Sequence, residues 1–263
     1  MRLWTLGSGS KGNAVLVECG ETRVLVDAGF SARRIAERLA TIGVDPWSIS
    51  ALLLTHEHTD HVSALEGVVK RWCWPVHLTR GTAIGAGEAL AGAATHEVAP
   101  GASFAIGSLA VTAVRTSHDA AEPVAYVVAS ERSGMRMAIV TDLGVVTNAV
   151  REAVRNVDVL VVESNHDEVM LQTGPYPYQL KRRVAGDRGH LSNRAAGELV
   201  AECNHRGLQQ VVLAHLSETN NTPAMALDAM RGVARRTRYK GVLSAAPQHD
   251  VAGPFGDADS TPL

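Results

Sequence analysis

Residues 51–61 read ALLLTHEHTDH, in which a short apolar run is followed within six positions by three histidines and an aspartate. The apolar run predicts a strand that is covered on both faces. If the chain stays extended at the end of this strand, His56 and His58 point to the same side and can bind one ion together. Asp60 and His61 lie where the chain turns into a helix, so they face a second point nearby. Imidazole and carboxylate groups suit zinc and other first-row metals, so this loop predicts two halves of a metal site.

The composition is that of an ordinary globular protein, with 46% apolar and 20% charged residues, which excludes disordered and collagen-like classes. The formal net charge of −2 excludes a general polycation, so any nucleic-acid-binding surface must be local. The three cysteines are widely spaced and form no CxxC pair, which is typical of a reducing compartment. No signal peptide or membrane-spanning run is evident, and we therefore expect a cytoplasmic protein without a membrane partner.

Strand-like and helix-like stretches alternate along the chain, without a repeat or a linker. Helices are predicted for residues 32–43 after the capping Ser31, and for residues 62–72, 147–155, 192–206 and 222–237. This alternation predicts an α/β protein with one domain over residues 1–246. The stretch 247–263 is rich in Pro, Gly and Asp, and we expect it to be a tail along the surface.

Three further potential ligands each end an apolar run. His118 ends AVTAVRTSH, Asp142 ends RMAIVTD and His215 ends QQVVLAH. Open α/β sheets place their sites at the carboxyl ends of strands. A single histidine at a strand end is usually an ordinary satisfied polar group, but three such residues together with the loop at 56–61 predict one complete site.

The motif THEHTDH, with VDAG before it and TDLG after it, resembles the signature of the metallo-β-lactamase superfamily. This resemblance implies a four-layer αββα sandwich with a dinuclear metal site at the strand ends. It also implies a ligand set for two divalent ions, with zinc favoured and manganese left open. The first ion would be bound by His56, His58 and His118, the second by Asp60, His61 and His215, and both by a bridging Asp142.

The branch of the superfamily is indicated by the third motif. In place of the HxxGH pattern of glyoxalase-like and lactamase-like members, this chain has SHDAAEPVAYVV, which is similar to the ribonuclease J and ribonuclease Z branches. The segments GSGSKGN, ESNHD, TGPYPYQLKRRVAGDRGHLSN and AHLSETNNTPAMA resemble the YycJ (WalJ) group over about residues 3–246. That group is regarded as DNA exonuclease-like, with a suggested part in DNA repair.

The resemblance therefore implies a dinuclear metal-dependent hydrolase, most simply a phosphodiesterase or nuclease that uses a hydroxide bridging the two ions. Nucleic acid would be the substrate, with DNA favoured over RNA. One alternative is an enzyme of the same fold that hydrolyses lactones or thioesters, or a weak β-lactamase. Another is a non-catalytic metal-sensing or nucleic-acid-binding module, against which the full ligand set argues.

Contacts to substrate phosphates are expected in two segments. The run YQLKRR contains Lys181, Arg182 and Arg183, although a charge run is often only a solvated helix face. Tyr176 and Tyr178 beside it are suited to stacking on bases or to a rigid turn. In the loop SGSKG, Ser8 and Ser10 and the backbone N–H groups are suited to binding a phosphate, although such loops are often plain turns.

Three residues are expected to act in catalysis. Asp60 would orient the attacking water in addition to binding metal. His190, in GHLSN, resembles the auxiliary histidine of ribonuclease Z, and Glu163 resembles the acidic residue that orients it, so His190 would protonate the leaving group. The alternative is that Glu163 and His190 only support the metal ligands. His166 has no role that the sequence indicates.

Overall fold

The computed structural model describes residues 1–256. The strands are β1 (Arg2–Gly7), β2 (Ala14–Cys19), β3 (Thr22–Val26), β4 (Ala51–Leu53), β5 (Val76–Leu78), β6 (Thr95–Glu97), β7 (Ser103–Ile106), β8 (Leu109–Arg115), β9 (Val124–Ser130), β10 (Arg136–Val140), β11 (Val159–Glu163), β12 (Gln210–Ala214), β13 (Val242–Ala245) and β14 (Ala252–Gly256). The α-helices are α1 (Ala32–Thr41), α2 (Thr59–Val62), α3 (Leu65–Trp72), α4 (Arg80–Ala86), α5 (Asn148–Ala153), α6 (Glu168–Thr173), α7 (Tyr178–Val184), α8 (Asn193–Cys203) and α9 (Pro223–Thr237). Within residues 1–256, no helix is both long enough and apolar enough to cross a bilayer.

The strands form two seven-stranded mixed sheets, in the orders β14-β1-β2-β3-β4-β5-β6 and β13-β12-β11-β10-β9-β8-β7. Strands β3 to β6 are parallel in the first sheet, and β10 to β13 are parallel in the second. The carboxyl ends of these parallel strands therefore lie along one edge of each sheet. The loops that follow them carry most of the chemically active side chains, as is usual for open α/β sheets.

Three apolar cores separate four layers. One core lies between the sheets and is built from the inward-facing side chains of both, such as Val17 and Val161. Alternate residues of the same strands, such as Leu16 and Leu160, point outward to the helices, because successive side chains of a strand face opposite sides. Helices α1 and α3 cover the first sheet, and α5, α8 and α9 cover the second. The predicted αββα sandwich is confirmed.

The predicted second helix is divided by the structure. Helix α2 begins already at Thr59, and α3 follows from Leu65, so that Asp60 and His61 belong to a short helix. Strand β4 ends at Leu53, which leaves His56 in the following loop. His56 and His58 thus lie beyond the paired part of the strand, but the backbone at His58 is still extended, with φ −63° and ψ 148°, and the two side chains lie together.

The predicted surface tail is wrong for residues 252–256, which form strand β14. This strand pairs antiparallel with β1, with Leu3 opposite Phe255, and Phe255 packs on the core between the sheets. The proline at position 254 disguised the strand in the sequence, but an edge strand tolerates a residue that lacks an N–H. Residues 257–263 of the expected tail lie outside the described part of the chain. The single domain over residues 1–246 stays a prediction.

Candidate metal centre and active site

The seven side chains that were expected to bind metal converge at the carboxyl ends of the strands. They form overlapping groups in which one potential ligand atom of each residue lies within 4.8 Å of the others. These groups are His56, His58 and His118; Asp60, His61 and His215; and His56, His61 and Asp142. The geometry thus brings together the two expected half-sites, with the Asp142 carboxylate between them.

The backbone is strained where three of the buried polar residues enter the centre. Asp27, Asp142 and His215 have φ angles of 62°, 60° and 53°, in the left-handed region that non-glycine residues rarely adopt. Such strain persists only where surrounding contacts over-determine it, and it is concentrated at functional sites. Here the positive φ angles turn the side chains of Asp27 after β3, Asp142 after β10 and His215 after β12 toward a common point.

The histidines of the centre are oriented by partners behind them. Nδ1 of His56 lies 3.0 Å from Thr55 Oγ1, and Nδ1 of His61 lies 2.8 Å from Asp27 Oδ2. Nδ1 of His118 lies 2.9 Å from the Gly189 carbonyl, and Nδ1 of His215 lies 2.8 Å from Glu163 Oε1. In each case Nε2 is left for the centre. The Nε2 atom of His56 is buried and has no hydrogen-bond partner among residues 1–256. A divalent cation would satisfy this atom, and the donor set of imidazoles and carboxylates fits such an ion.

Asp27, in the motif VDAG, supports the centre, a role that the sequence did not indicate. Its carboxylate accepts hydrogen bonds from the backbone N–H and the hydroxyl of Thr55, at 2.8 and 3.0 Å, and contacts His61 at 2.8 Å. The acidic residue therefore fixes both the loop at Thr55 and the ring of His61. Asp27 has a positive φ directly after β3, and aspartate adopts this conformation more readily than most other non-glycine residues.

The charges of the centre compensate one another. Burial raises the pKa of Asp142, but the imidazoles of His215 and His61 outweigh burial and hold this pKa well below its ordinary value. The Oδ2 atom of Asp142 lies 3.2 Å from Nε2 of His61. Asp142 therefore carries a negative charge in a fully buried position, where it needs positive partners.

Glu163 joins His215 to His190. Its buried Oε1 lies 2.8 Å from Nδ1 of His215 and 2.7 Å from Nδ1 of His190, and its Oε2 accepts N–H bonds from Leu143 and Leu191. Burial raises the pKa of Glu163, but His190 and the other donors outweigh it and lower the pKa to about 2. Burial lowers the pKa of His190, yet the Glu163 carboxylate outweighs this and raises it above the ordinary value. The pair predicted from the sequence is thus in contact, and the Nε2 atom of His190 has no partner among the described residues.

The Gly/Ser loop supports the centre from inside. Ser8 is buried, and its hydroxyl accepts the backbone N–H of His215 at 2.8 Å. The N–H groups of Ser8, Gly9 and Gly12 all donate to groups of the protein itself. The expectation that Ser8 and these N–H groups bind a phosphate is therefore wrong, because they are already satisfied. Ser10 alone among the expected loop contacts lines the cleft.

Asn13 is the residue of this loop that reaches the centre. Its amide nitrogen lies 3.3 Å from Asp60 Oδ2 and 3.2 Å from His61 Nε2, while its amide oxygen accepts the N–H of Gly9 at 2.8 Å. Glycines are needed here because Gly9 has a φ of 148° and a Cβ would meet Gln248. The segment SGSKGN thus positions Asn13, a role that the spacing of the residues did not indicate.

A cleft of about 470 Å³ opens over the centre. Of the basic segment on α7, only Arg183 lines this cleft, and its Nε lies 2.6 Å from Asp119 Oδ2. Arg182 lies outside the cleft, with its guanidinium 5.8 Å from the centroid of the Tyr178 ring. Lys181 donates to the Gln172 carbonyl at 2.7 Å and does not line the cleft, whereas Tyr176 does.

The fold and the centre have counterparts in known proteins. The family described as the beta-lactamase superfamily domain matches residues 22–216. Exodeoxyribonuclease YycJ of Bacillus anthracis is 32% identical over 249 residues, which cover 94% of this chain and 93% of that protein. This chain belongs to the metallo-β-lactamase superfamily. Within it, the similarity along nearly the whole chain identifies a YycJ-type member, as the motifs had indicated.

Two further similarities agree with this membership. Exodeoxyribonuclease WalJ of Streptococcus pneumoniae serotype 2 is 30% identical to this YycJ-type protein over 226 residues, which cover 84% of this chain and 83% of WalJ. The crystal structure of the metallo-β-lactamase fold protein YhfI from Bacillus subtilis superimposes with a TM-score of 0.70 at 18% identity, over 95% of this chain and 98% of that one. The latter shows the fold alone. The predictions of a superfamily member and of a metal-dependent hydrolase are confirmed.

The segments ESNHD, GHLSN and SETNN meet behind Glu163 in a buried polar network. The amide nitrogen of Asn221 donates to the Ser164 carbonyl and to Asn193 Oδ1, both at 2.8 Å, and Ser164 Oγ donates to Asn193 Oδ1 at 2.6 Å. Asn165 in turn donates to the carbonyl of His215 at 2.9 Å. This network fixes the loops that carry His190 and His215.

Replacing Asn221 by alanine is expected to lower the free energy of unfolding of the metal-free protein by about 2–3 kcal/mol, because several buried partners lose their hydrogen bonds. Urea denaturation would measure this loss. As a control, Asn204 makes one half-buried bond to the Thr237 carbonyl, and Asn204→Ala should cost about 1 kcal/mol. Equal losses in the two variants would show that the network contributes nothing beyond a single bond.

Proposed function

We propose that this YycJ-type protein is a dinuclear metal-dependent phosphodiesterase that hydrolyses nucleic acid, acting on DNA in an exonuclease-like manner. The observation that carries the proposal is the contact of the His190–Glu163 pair with a seven-residue potential metal centre. A nuclease needs both parts, because the leaving oxygen of a nucleotide is a poor leaving group and requires a proton. The names of the YycJ and WalJ relatives support DNA as the substrate. The predicted cytoplasmic location and the suggested part in DNA repair stay predictions.

The proposed ligands are those predicted from the sequence. The first ion would be held by His56, His58 and His118, the second by Asp60, His61 and His215, and Asp142 would contribute to both. Two divalent ions supply, when bound, an activated water and stabilisation of the charge that develops on the phosphate oxygens. The imidazole-rich first group favours zinc, and the carboxylate-containing second group also accepts manganese.

The side chains of the protein orient the reaction. Burial raises the pKa of Asp60, but His61 and His215 outweigh it and hold this pKa well below its ordinary value, so the carboxylate stays ionised. Its Oδ2 is restrained by the amide nitrogen of Asn13 at 3.3 Å and would accept a hydrogen bond from the attacking water. Charged hydrogen-bonding groups held in this way do not need to reorganise during the reaction.

His190 would protonate the leaving oxygen. Glu163 holds its Nδ1 at 2.7 Å, which fixes the orientation of the ring and leaves Nε2 as the atom that can give a proton. The ring is 22% exposed and lies at the wall of the cleft, so that a bound phosphodiester can reach it. The metal ligands themselves have no proton to offer, which makes His190 the acid that the structure favours.

The rim of the cleft would bind the substrate backbone. Arg183 is held over the cleft by Asp119, and Arg182 and Arg188 line an adjoining depression. Ser10 and Tyr176 line the same cleft as Arg183. Phosphates along a strand are bound by such a row of arginines, whereas a lactam, a lactone or a thioester needs none of them.

A parallel substrate assay tests the proposal. The protein, loaded with zinc or with manganese, would be given end-labelled single- and double-stranded DNA and RNA, together with nitrocefin and a lactone. We expect shortening of DNA from an end, at a rate well above that for RNA and for both small substrates. Turnover of nitrocefin or the lactone without any cleavage of nucleic acid would overturn the proposal and favour a hydrolase of another substrate class.

The salt dependence of DNA binding tests the basic rim. Arg182→Ser is expected to weaken binding of single-stranded DNA by metal-free protein and to reduce the slope of log K against log salt by about 0.7, because one phosphate contact is lost. Fluorescence anisotropy at several salt concentrations would measure both effects. The matched control is Arg206→Ser, since Arg206 is exposed before β12, at the opposite end of the sheet. An equal change in both variants would show that the rim of α7 is not the binding surface.

A further inference from the structure

A second cavity adjoins the metal cleft on the other side of His190. It has a volume of about 520 Å³ and is lined by residues 144–146, by α6 and by the first half of α8, with His166 at its wall; we call it the His166 cavity. His190 lines both this cavity and the metal cleft. A group bound in the His166 cavity therefore lies beside the residue that would protonate the leaving oxygen.

The charges of the cavity compensate each other. Arg194 pairs with Glu168 at 3.0 Å and with Glu198 at 2.7 Å. Asp187 and Arg151 also line the cavity, so a phosphate would meet three carboxylates for two guanidiniums, and a phosphate is a poor occupant. A neutral group with both donors and acceptors is a better one, because carboxylates accept from amino groups and guanidinium donates to ring nitrogens and carbonyls.

His166 supplies an unsatisfied polar edge. The residue is only 3% exposed, and neither ring nitrogen forms a hydrogen bond with any residue in the range 1–256. Its Nδ1 is fully buried, so Nε2 is the ring nitrogen that an occupant of the cavity can reach. An unpaired buried polar atom costs free energy, so it indicates a missing partner. The backbone of His166 is well held, since it forms a β-bridge to Ser192 and its carbonyl accepts the N–H of Asn193 at 2.9 Å. The unpaired ring nitrogens are therefore not the result of a loosely held loop.

Part of the remaining wall is apolar, beside the polar Gln172 and Ser192. Val145 is 39% exposed, and Leu171 and Ala195 also line the cavity. A flat aromatic ring system can pack on such a wall while its polar edge meets His166 and the charged pair. The volume of about 520 Å³ is within the range of small-molecule pockets and is sufficient for one nucleoside.

We propose that the His166 cavity binds the nucleoside that carries the leaving oxygen, with its base packed against Val145 and Ala195 and its polar edge on His166. This inference rests on the proposed function, since it takes the scissile phosphate to lie in the metal cleft beside His190. A base can enter only if it is unpaired and unstacked, so the cavity selects single-stranded or frayed ends. The specificity of the enzyme for strand ends would then reside here and not at the metals.

Filling the cavity tests the proposal. Ala195→Trp is expected to raise KM for a short single-stranded DNA about 10- to 100-fold, because one base loses its packing surface, while kcat changes little. His166→Phe keeps the ring but removes its nitrogens, and should raise KM in the same direction by a smaller factor. The control Ala40→Trp adds the same side chain at an exposed position of α1 and should leave KM unchanged.

A binding measurement gives a second readout that does not depend on the metals. Equilibrium dialysis of deoxyadenosine with metal-free protein should show one site in the wild type and in Ala40→Trp, weakened in His166→Phe and lost in Ala195→Trp. Normal cleavage by the wild type, with unchanged KM and unchanged deoxyadenosine binding in the cavity variants, would overturn this inference alone. Failure of the wild type to cleave any nucleic acid would overturn the proposed function, and the inference with it.

Discussion

Replacing Asp142 by alanine is expected to lower kcat for DNA cleavage by about 10³-fold or more, because loss of a metal removes several kcal/mol of transition-state stabilisation. The Asp142 carboxylate lies between the two groups of potential ligands, and it is the buried negative charge that His61 and His215 face. Without it, the imidazoles lose their counter-charge and the two ions lose their common ligand. Kinetics at saturating DNA, with elemental analysis of the same sample, would measure both effects.

The control for this variant is Asp228→Ala. Asp228 is an exposed residue of α9 whose one ion pair among residues 1–256 is with Arg231, one turn along the same helix, so its loss should change neither metal content nor kcat. If Asp142→Ala retained full metal content and a kcat within a factor of about ten, the carboxylate would not be shared between two ions and the dinuclear mechanism would fail.

Replacing His190 by alanine is expected to lower kcat on DNA by about 10²–10⁴-fold while the metal content stays intact, since this is the usual contribution of general acid catalysis. The loss should be much smaller for bis-p-nitrophenyl phosphate, because p-nitrophenolate leaves without a proton. Comparison of the two substrates therefore isolates the acid role from positioning. Glu163→Gln should give a smaller loss of the same kind, together with weaker metal binding, because Glu163 Oε1 also holds His215.

Two results would remove the acid role from His190. Loss of metal in His190→Ala would make this residue a ligand, and His215 would then need another assignment. An equal loss of kcat on good and poor leaving groups would make His190 a positioning residue only. Either result would leave the metal centre itself intact as the basis of the activity.

Local signals in the sequence were sufficient to predict most strands and the convergence of the potential ligands, whereas the four layers followed from the resemblance to the superfamily. Alternating apolar runs predicted the strands, and the capped helix after Ser31 is present with the Ser31 hydroxyl accepting the Arg34 N–H. The HxHxDH motif and three single residues at strand ends predicted a set that the structure brings within one centre. These residues are separated widely in the chain, but each lies within a few residues of the end of a strand or in the short helix α2.

The supporting residues could not be predicted because their roles depend on contacts between distant segments. Asn13 reaches Asp60 across 47 positions of the chain, and Ser8 accepts the N–H of His215 across 207 positions. A Gly/Ser loop has the same local sequence whether its N–H groups face a ligand or the protein, so the expectation of a phosphate loop was wrong for Ser8. Pro254 likewise concealed an edge strand, because sequence patterns do not show which strand has a free edge.

The most direct test of the account is a metal count on purified protein after weakly bound ions have been removed, combined with anomalous diffraction at the metal edge. The account predicts about two ions per chain, separated by about 3.5–4 Å, with Asp142 contacting both. One ion per chain, with Asp142 contacting no metal, would contradict it.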